Sequence, residues 1–429
     1  MRDGFIKIAA ATPDLHVADC EYNAAEIVNQ AKQAAARGAK LITFPELCLT
    51  GYTCGDLFLQ ETLLEGALDA LNTVCRETAE LAAVIVVGLP LRVRGKLYNV
   101  AAVVNAGDVL AFVPKTHLPN YSEFYEQRHF VSADTLSGGM EGVDVKNADG
   151  EAICVPLVTD SIFQCDEQPL FTFGVEICED LWVPNPPSTA LAQMGAHIIV
   201  NLSASDEIIG KAGYRRDLVR QQSGRLLCAY LYADAGFGES TQDLVFAGHD
   251  LIAENGALLS ESKMFSQGII YADIDLQRLA HERQRMNTFE SIEGGVFSFS
   301  LEPVENDTTF AENAMIKAKA VMQASGLPAI ADDSGLCVDA LSGAPGIYSA
   351  RYGGLDDDKA RYQLLLQNLR GAMTRAAHFH TSVVCCFPDG DVLTAEGECA
   401  GTIAYAPQGE GGFGYDPVFF VPQLRKTFA

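Results

Sequence analysis

"GVEICEDLW", residues 174–182, decides how this chain reads. It closes the apolar run "PLFTFGVEIC" (169–178) on a cysteine, and three carboxylates, Glu176, Glu179 and Asp180, lie within two residues of Cys178. Nearby negative charge keeps a thiol protonated and unreactive, so this sulfur needs partners from elsewhere in the fold to be of use. An apolar run ending on a reactive side chain reads as a strand end, and α/β architectures place their chemistry in the loops that follow strands.

The surroundings repeat that pattern. "FIKIAAA" (5–11) reads as a strand, Ala24, Ile27, Val28, Ala31, Ala34 and Ala35 recur at helical spacing, and "LITFPE" (41–46) is the next apolar run. "AAVIVVGLPL", "NVAAVVNAGDVLAFV", "AHIIVNLSAS" and "LCAYLYADAG" continue the strand series, with helix-like stretches near 60–81, 187–194 and 213–227. Alternation of the two predicts layered α/β. Asn105 to Asp108 and the "ENG" at 254–256 carry hairpin chemistry.

Composition narrows the class. The chain has 429 residues, 48% of them apolar, enough for two or three packed domains. Its formal net charge of -26 argues against binding nucleic acid or anionic membranes, so an anionic ligand must be met by a local cluster of donors. No apolar stretch approaches the roughly 18–20 residues of a membrane span, and the N-terminus does not read as a signal peptide, which predicts a cytoplasmic protein. Twelve dispersed cysteines with no CxxC pair are, in a reducing compartment, mostly small buried hydrophobes.

Three apolar runs end on a reactive side chain: "TFPELCLTGY" with Glu46, "VPKTHLPNY" with Lys115 and "GVEICEDLW" with Cys178. Each alone has an ordinary reading, as a turn residue, a solvated lysine or a core cysteine. Together they supply what a thiol nucleophile requires. Glu46 can take the proton, and Lys115 can stabilise charge on sulfur or on a tetrahedral oxygen.

These contexts resemble the carbon-nitrogen hydrolase, or nitrilase-like, superfamily, whose Glu-Lys-Cys triad matches Glu46, Lys115 and Cys178. "LPNYSEFYEQRHF" (118–130), "NLSAS" (201–205), "YRRDLVRQQSGR" (214–225) and "YADAGFGESTQDLVFAGHDLIAENG" (232–256) look like the glutaminase domain of glutamine-dependent NAD synthetases. The resemblance covers residues 1–302 and implies an αββα sandwich that hydrolyses the glutamine side-chain amide without a cofactor. Tyr121, Ser205 and Lys211 fall where that family holds glutamine, and the cation of Lys211 suits a substrate carboxylate. The family's ATP-gripping loop of type SGG-x-DS has no counterpart. The only "SGG", Ser137 to Gly139, continues as Met140 and Glu141 and precedes Cys178. The ammonia is therefore expected to have no acceptor site on this chain, with a synthetase subunit in trans as a possible recipient.

Near residue 303 the sequence changes subject without a linker. "TFAENAMIKAKA", "GLPAIADDSGLCVDALSGAPGIYSARY" and "PQGEGGFGYDPVFF" resemble the inosine triphosphate pyrophosphatase family. Adjacent Asp332 and Asp333 after a strand predict a Mg²⁺ site with an activated water. By resemblance Asp333 is general base and metal ligand, Glu305 a second ligand, Ser334 a substrate contact, and Phe413, Gly414, Tyr415 and Asp416 the purine-pocket segment. His378 and His380, two apart on a strand-like run, read as packing or surface residues. The family's opening strand and closing phosphate clasp are not found, and Asp307 stands where glycine is expected before the helix. The expectation is thus an α/β chain: a nitrilase-like sandwich over 1–302, then a partial α/β pyrophosphatase domain over 303–429. Hydrolysis of inosine or xanthosine triphosphate by the second domain is the alternative activity, expected weak or absent. Family habit adds a homo-oligomer.

Overall fold

A computed structural model describes residues 4–136, 140–147, 151–301, 309–355, 357–372, 374–409 and 411–429. Glu305, Asp307 and Ser137 to Gly139 lie outside the described residues. The chain divides into two compact units, Met1–Glu302 and Pro303–Ala429.

The first unit contributes strands β1 (Phe5–Thr12), β2 (Leu41–Thr43), β3 (Val84–Val93), β4 (Lys96–Asn105), β5 (Asp108–Pro114), β6 (Met140–Lys146), β7 (Ala152–Val158) and β8 (Ser161–Cys165). Then come β9 (Thr172–Ile177), β10 (Ile198–Ser203), β11 (Ala229–Asp234), β12 (Leu251–Glu254), β13 (Ala257–Glu261), β14 (Gly268–Asp275) and β15 (Gly295–Phe299). Among the described residues they form an eight-stranded sheet, β14-β1-β2-β3-β4-β5-β7-β6, and a seven-stranded sheet, β13-β12-β11-β10-β9-β8-β15. The two hairpin signals are used as turns: Ala106 and Gly107, and Asn255 and Gly256, all take positive φ. That backbone matches the right-handed twist of the strands they join.

Strand alternation sorts the side chains into layers. Ile8, Ala10, Val84, Val86, Ala101 and Val103 from the first sheet pack against Val175, Val200, Leu202, Leu231 and Ala233 from the second. Helices α1 (Cys20–Ala36) and α2 (Glu61–Thr78) cover the outer face of the first sheet, while α3 (Pro187–Gln193) and α4 (Lys211–Arg225) cover the second. Helix α1 buries the expected stripe of Ala24, Ile27, Val28, Ala31 and Ala34, and its N-terminus is capped by Asp19. The result is the four-layer αββα sandwich. A fifth helix, α5 (Leu276–Arg285), follows β14. No helix among the described residues is long and apolar enough to cross a membrane.

The second unit begins with α6 (Phe310–Ser325), capped by Thr309, followed by β16 (Ala329–Val338), α7 (Asp358–Asn368), β17 (Ala376–Cys386), β18 (Val392–Ile403), β19 (Phe419–Val421) and β20 (Lys426–Thr427). The strands form one antiparallel sheet in chain order. Ala314 and Ala318 of α6 pack on Val384 and Cys386, and Leu336, Val338, Ile403, Val418 and Phe419 form a second core.

Candidate active site

Glu46 lies just past β2, Lys115 just past β5 and Cys178 just past β9, so the first two come from one sheet and the third from the other. The Glu46 backbone N–H donates to the Ser203 carbonyl at 3.3 Å, joining the sheets at this end. Glu46 and Lys115 are fully buried and Cys178 is 4% exposed. Lys115 Nζ donates to Glu46 Oε1 at 2.6 Å and to Glu126 Oε1 at 2.5 Å. Asn99 Nδ2 and the Ala204 N–H also donate to Glu46, at 2.7 and 3.0 Å. Tyr52 completes the group by donating its hydroxyl to Glu126 at 2.7 Å.

The electrostatics follow from burial and neighbours. Burial opposes the Lys115 charge, but Glu126 and Glu46 outweigh it and hold its pKa well above the ordinary value. Burial also pushes the Glu126 carboxyl up to about 7, with Lys115 pulling the other way. The Cys178 thiol is raised well above its ordinary value by burial first and then by Glu46. Lys115 and a hydrogen bond from Ser203 oppose this without reversing it. The cation expected to make the sulfur anionic is thus shared between two carboxylates, and burial together with Glu46 favours the protonated thiol.

The acidic neighbours of Cys178 are each committed elsewhere. Glu176 accepts the Ser188 N–H at 2.7 Å and the Tyr230 hydroxyl. Asp180 accepts from the backbone of His117 and Ile177 at 2.7 and 3.0 Å, and burial pushes its pKa up to about 8. Glu179, half-buried, accepts the hydroxyl of the exposed Tyr121 at 3.0 Å. A cavity of about 560 Å³ is lined by His117, Tyr121 and Glu179, and another of about 370 Å³ reaches Tyr52 and Glu126.

Of the other expected substrate contacts, Lys211 lies over the rings of Trp182 and Phe124, 5.1 and 5.6 Å from their centroids. Its amine is paired with Asp206. The Ser205 hydroxyl accepts from Arg215 at 3.2 Å, and its N–H donates to Asp234 at 2.9 Å. Glu126 and Ser203 fall within the stretches 118–130 and 201–205, but neither they nor Asn99 can be assigned a role from the sequence, because a glutamate, hydroxyl or amide becomes informative only once folding brings a charge beside it.

In the second unit the acidic pair is separated. Asp332 and Asp333 sit inside β16 and not after it, so strand alternation sends their side chains to opposite faces. Asp333, buried, accepts from Lys317 at 2.9 Å and Asn313 at 3.2 Å. Ser334 lies on the face of Asp332, its hydroxyl within hydrogen-bonding distance of Asp332 at 3.2 Å and of the Thr381 hydroxyl at 2.9 Å. In the 413–416 segment Phe413 is exposed, but Tyr415 is a core residue whose hydroxyl donates to the Ser349 carbonyl at 2.9 Å. Asp416 accepts the Phe413 N–H at 3.0 Å and Gly414 donates to Asp358 at 2.7 Å. His380 stacks on Phe310 with ring centroids 4.9 Å apart. No group of three carboxylate, His or Cys side chains poised for a cation occurs among the described residues. With Asp333 held by a lysine and an amide, the described residues do not compose a divalent-metal site.

Comparison with known proteins agrees with this architecture. Residues 7–284 match the carbon-nitrogen hydrolase family. The chain belongs to that family. Residues 275–429 match the Ham1 family. The glutamine-dependent NAD(+) synthetase of Mycobacterium tuberculosis is 45% identical over 289 residues, which are 67% of this chain and 41% of the synthetase. The dITP/XTP pyrophosphatase of Thermus thermophilus is 53% identical over 129 residues, 30% of this chain and 62% of that protein. Among solved structures, a glutamine-dependent NAD(+) synthetase from Cytophaga hutchinsonii superposes with a TM-score of 0.55 at 28% identity, covering 63% of this chain and 43% of its own. This carbon-nitrogen hydrolase thus spans about two fifths of the synthetases it matches and about three fifths of the pyrophosphatase.

Proposed function

We propose that the sandwich hydrolyses the side-chain amide of glutamine to glutamate and ammonia, using Cys178 as nucleophile. As Cys178 Sγ attacks the amide carbon, its proton passes to Glu46, and Lys115 with its fixed hydrogen bonds faces the developing oxyanion. Collapse breaks the C–N bond while Glu46 returns the proton to nitrogen, releasing ammonia and leaving a thioester. Water then attacks the thioester, Glu46 takes its proton, and the departing sulfur is reprotonated. Glu126 keeps Lys115 in place and charged. Tyr121, Glu179 and Lys211 surround the mouth, where the α-amino and carboxylate groups of glutamine require opposite charges. The single supporting observation is the buried lysine bridging two carboxylates beside a near-buried thiol.

The ammonia would serve NAD synthesis through a synthetase acting in trans. The test is ammonia release from glutamine by the full chain and by Cys178→Ala. Release that persists in the variant refutes the assignment.

The 53% identity to a dITP/XTP pyrophosphatase favours a second reading for the C-terminal unit, hydrolysis of non-standard purine nucleoside triphosphates with Asp333 as base. Mg²⁺-dependent pyrophosphate release from inosine triphosphate, lost in Asp333→Asn, tests it.

A further inference from the structure

Cys178 has φ +44°, a left-handed backbone that L residues with a side chain rarely adopt and that something must hold. Its N–H has one partner, the side-chain Oδ1 of Asn201, at 3.1 Å. Asn201 is fully buried on β10, the strand beside β9. An amide offers an acceptor on one side and a donor on the other, so it holds the Cys178 N–H only in one of two orientations.

That orientation is set by a buried chain of partners. Asn201 Nδ2 donates to the Tyr230 hydroxyl at 3.1 Å and also reaches Glu176 directly, and Tyr230 in turn donates its only proton to Glu176 Oε1. Glu176 Oε2 is taken by the Ser188 N–H at 2.7 Å, so both carboxylate oxygens act as acceptors. With its proton committed, the Tyr230 oxygen can only accept from Asn201, which leaves Oδ1 facing Cys178. Reversing any link would turn an NH₂ toward the Cys178 N–H, donor against donor.

We propose that Asn201 is a positioning residue for the nucleophile, oriented through Tyr230 by Glu176, and that the chain fixes the direction in which Cys178 presents its sulfur. This rests on Cys178 being the nucleophile of the preceding section. One of the acidic neighbours of Cys178 thereby acquires a purpose, since Glu176 is the fixed end from which the polarity of the chain runs.

Glu176→Gln changes almost no volume but reverses that polarity. The Ser188 N–H claims the amide oxygen, the new NH₂ faces Tyr230, and Tyr230 then donates to Asn201 and flips it. The experiment compares the full chain with Asn201→Ala, Tyr230→Phe and Glu176→Gln. It measures kcat and KM for ammonia release, and the rate at which iodoacetamide alkylates Cys178, followed on its own peptide by mass spectrometry. A misaimed sulfur predicts a kcat lower by about 100-fold in Asn201→Ala and about 10-fold in the other two, with KM within about threefold of the parent. Cys178 alkylation should slow in the same order. If Asn201→Ala does not fold, the two near-isosteric variants carry the test. Parental kcat and alkylation in Glu176→Gln and Tyr230→Phe, or losses seen only in KM, overturn the inference. A Cys178→Ala variant that still releases ammonia would instead overturn Cys178 as the nucleophile and with it the catalytic part of this role, while slowed alkylation would show only that the chain fixes the direction of the sulfur.

Discussion

Glu126→Gln should make this protein more stable at alkaline pH relative to the parent, by an amount that can be worked out from the site. Glu126 is buried and its carboxyl is pushed from 4.5 up to about 7. A carboxyl raised on folding stays protonated in the native state while the unfolded chain ionises. The stability this gives is fully present below pH 4.5, erodes as pH rises through the window, and is gone above about 7. At roughly 1.4 kcal/mol for each pH unit between the two values, the whole effect is about 3 kcal/mol. About 1 kcal/mol of it is already lost at pH 5.5, so about 2 kcal/mol remains between pH 5.5 and 8. Glutamine keeps an oxygen for Lys115 and Tyr52 but cannot titrate. Urea unfolding of parent and variant across pH 5.5–8 cancels the other buried carboxyls, Asp180, Asp250 and Glu239, which are raised as well. The stability difference should shift by about 2 kcal/mol in favour of the variant as pH rises. A difference that stays flat over that range would mean that Glu126 does not titrate there, and that Lys115 offsets the burial that raises its carboxyl.

Other outcomes follow from the same geometry. Gly88→Ala places a Cβ against the Leu47 N–H and within 2.9 Å of the Pro45 carbonyl, on the turn that carries Glu46. Overpacking there should lower stability by about 1–3 kcal/mol. It should also reduce ammonia release beyond what partial unfolding explains, and full activity in the folded fraction would show that the turn yields without moving Glu46. The chain's single tryptophan, Trp182, lies against Lys211. Glutamine added to Cys178→Ala should therefore change tryptophan emission, and Lys211→Met should abolish the change. An unchanged response in Lys211→Met would place the substrate carboxylate elsewhere.

What could be read in advance was whatever is local. Strand ends after apolar runs, the 3.6-residue stripe of α1 and the positive-φ turns at Gly107 and Gly256 depend on a few neighbouring residues, and they stand where the sequence puts them. Glu46, Lys115 and Cys178 stood out because each interrupts an apolar run. Glu126 lies within the stretch 118–130, but its role is not legible there, since a glutamate in a polar loop declares nothing until Lys115 lies 2.5 Å away. Lys211 and Ser205 were legible as polar groups, but their partners were not. Asp206 and Arg215 claim them through a turn and a helix whose packing no spacing encodes. The placement of Asp332 and Asp333 differs from the expectation for a physical reason: they lie inside a strand and not after it, and adjacency in sequence means opposition on a strand. A reading of two cooperating carboxylates required the strand to end before them, and β16 runs on to Val338.

The carboxylates crowding Cys178 also bear on when the nucleophile forms. A thiol that burial and Glu46 hold neutral cannot attack from the resting state at an appreciable rate, and Lys115 cannot remedy this while it serves Glu46 and Glu126 together. On the proposed mechanism the balance changes only when an amide enters. Its carbonyl oxygen offers Lys115 a third acceptor in which negative charge grows as sulfur bonds to carbon, and the proton lost by sulfur neutralises the carboxylate that had been raising its pKa. Proton transfer and bond formation thus support each other, so the thiolate need never exist free. In the absence of substrate, alkylation of Cys178 should then be slow at neutral pH and should rise only well above the ordinary thiol range. A Cys178 that reacts at neutral pH as fast as an exposed thiol would mean the sulfur is already ionised at rest, and the coupling argued here would fail.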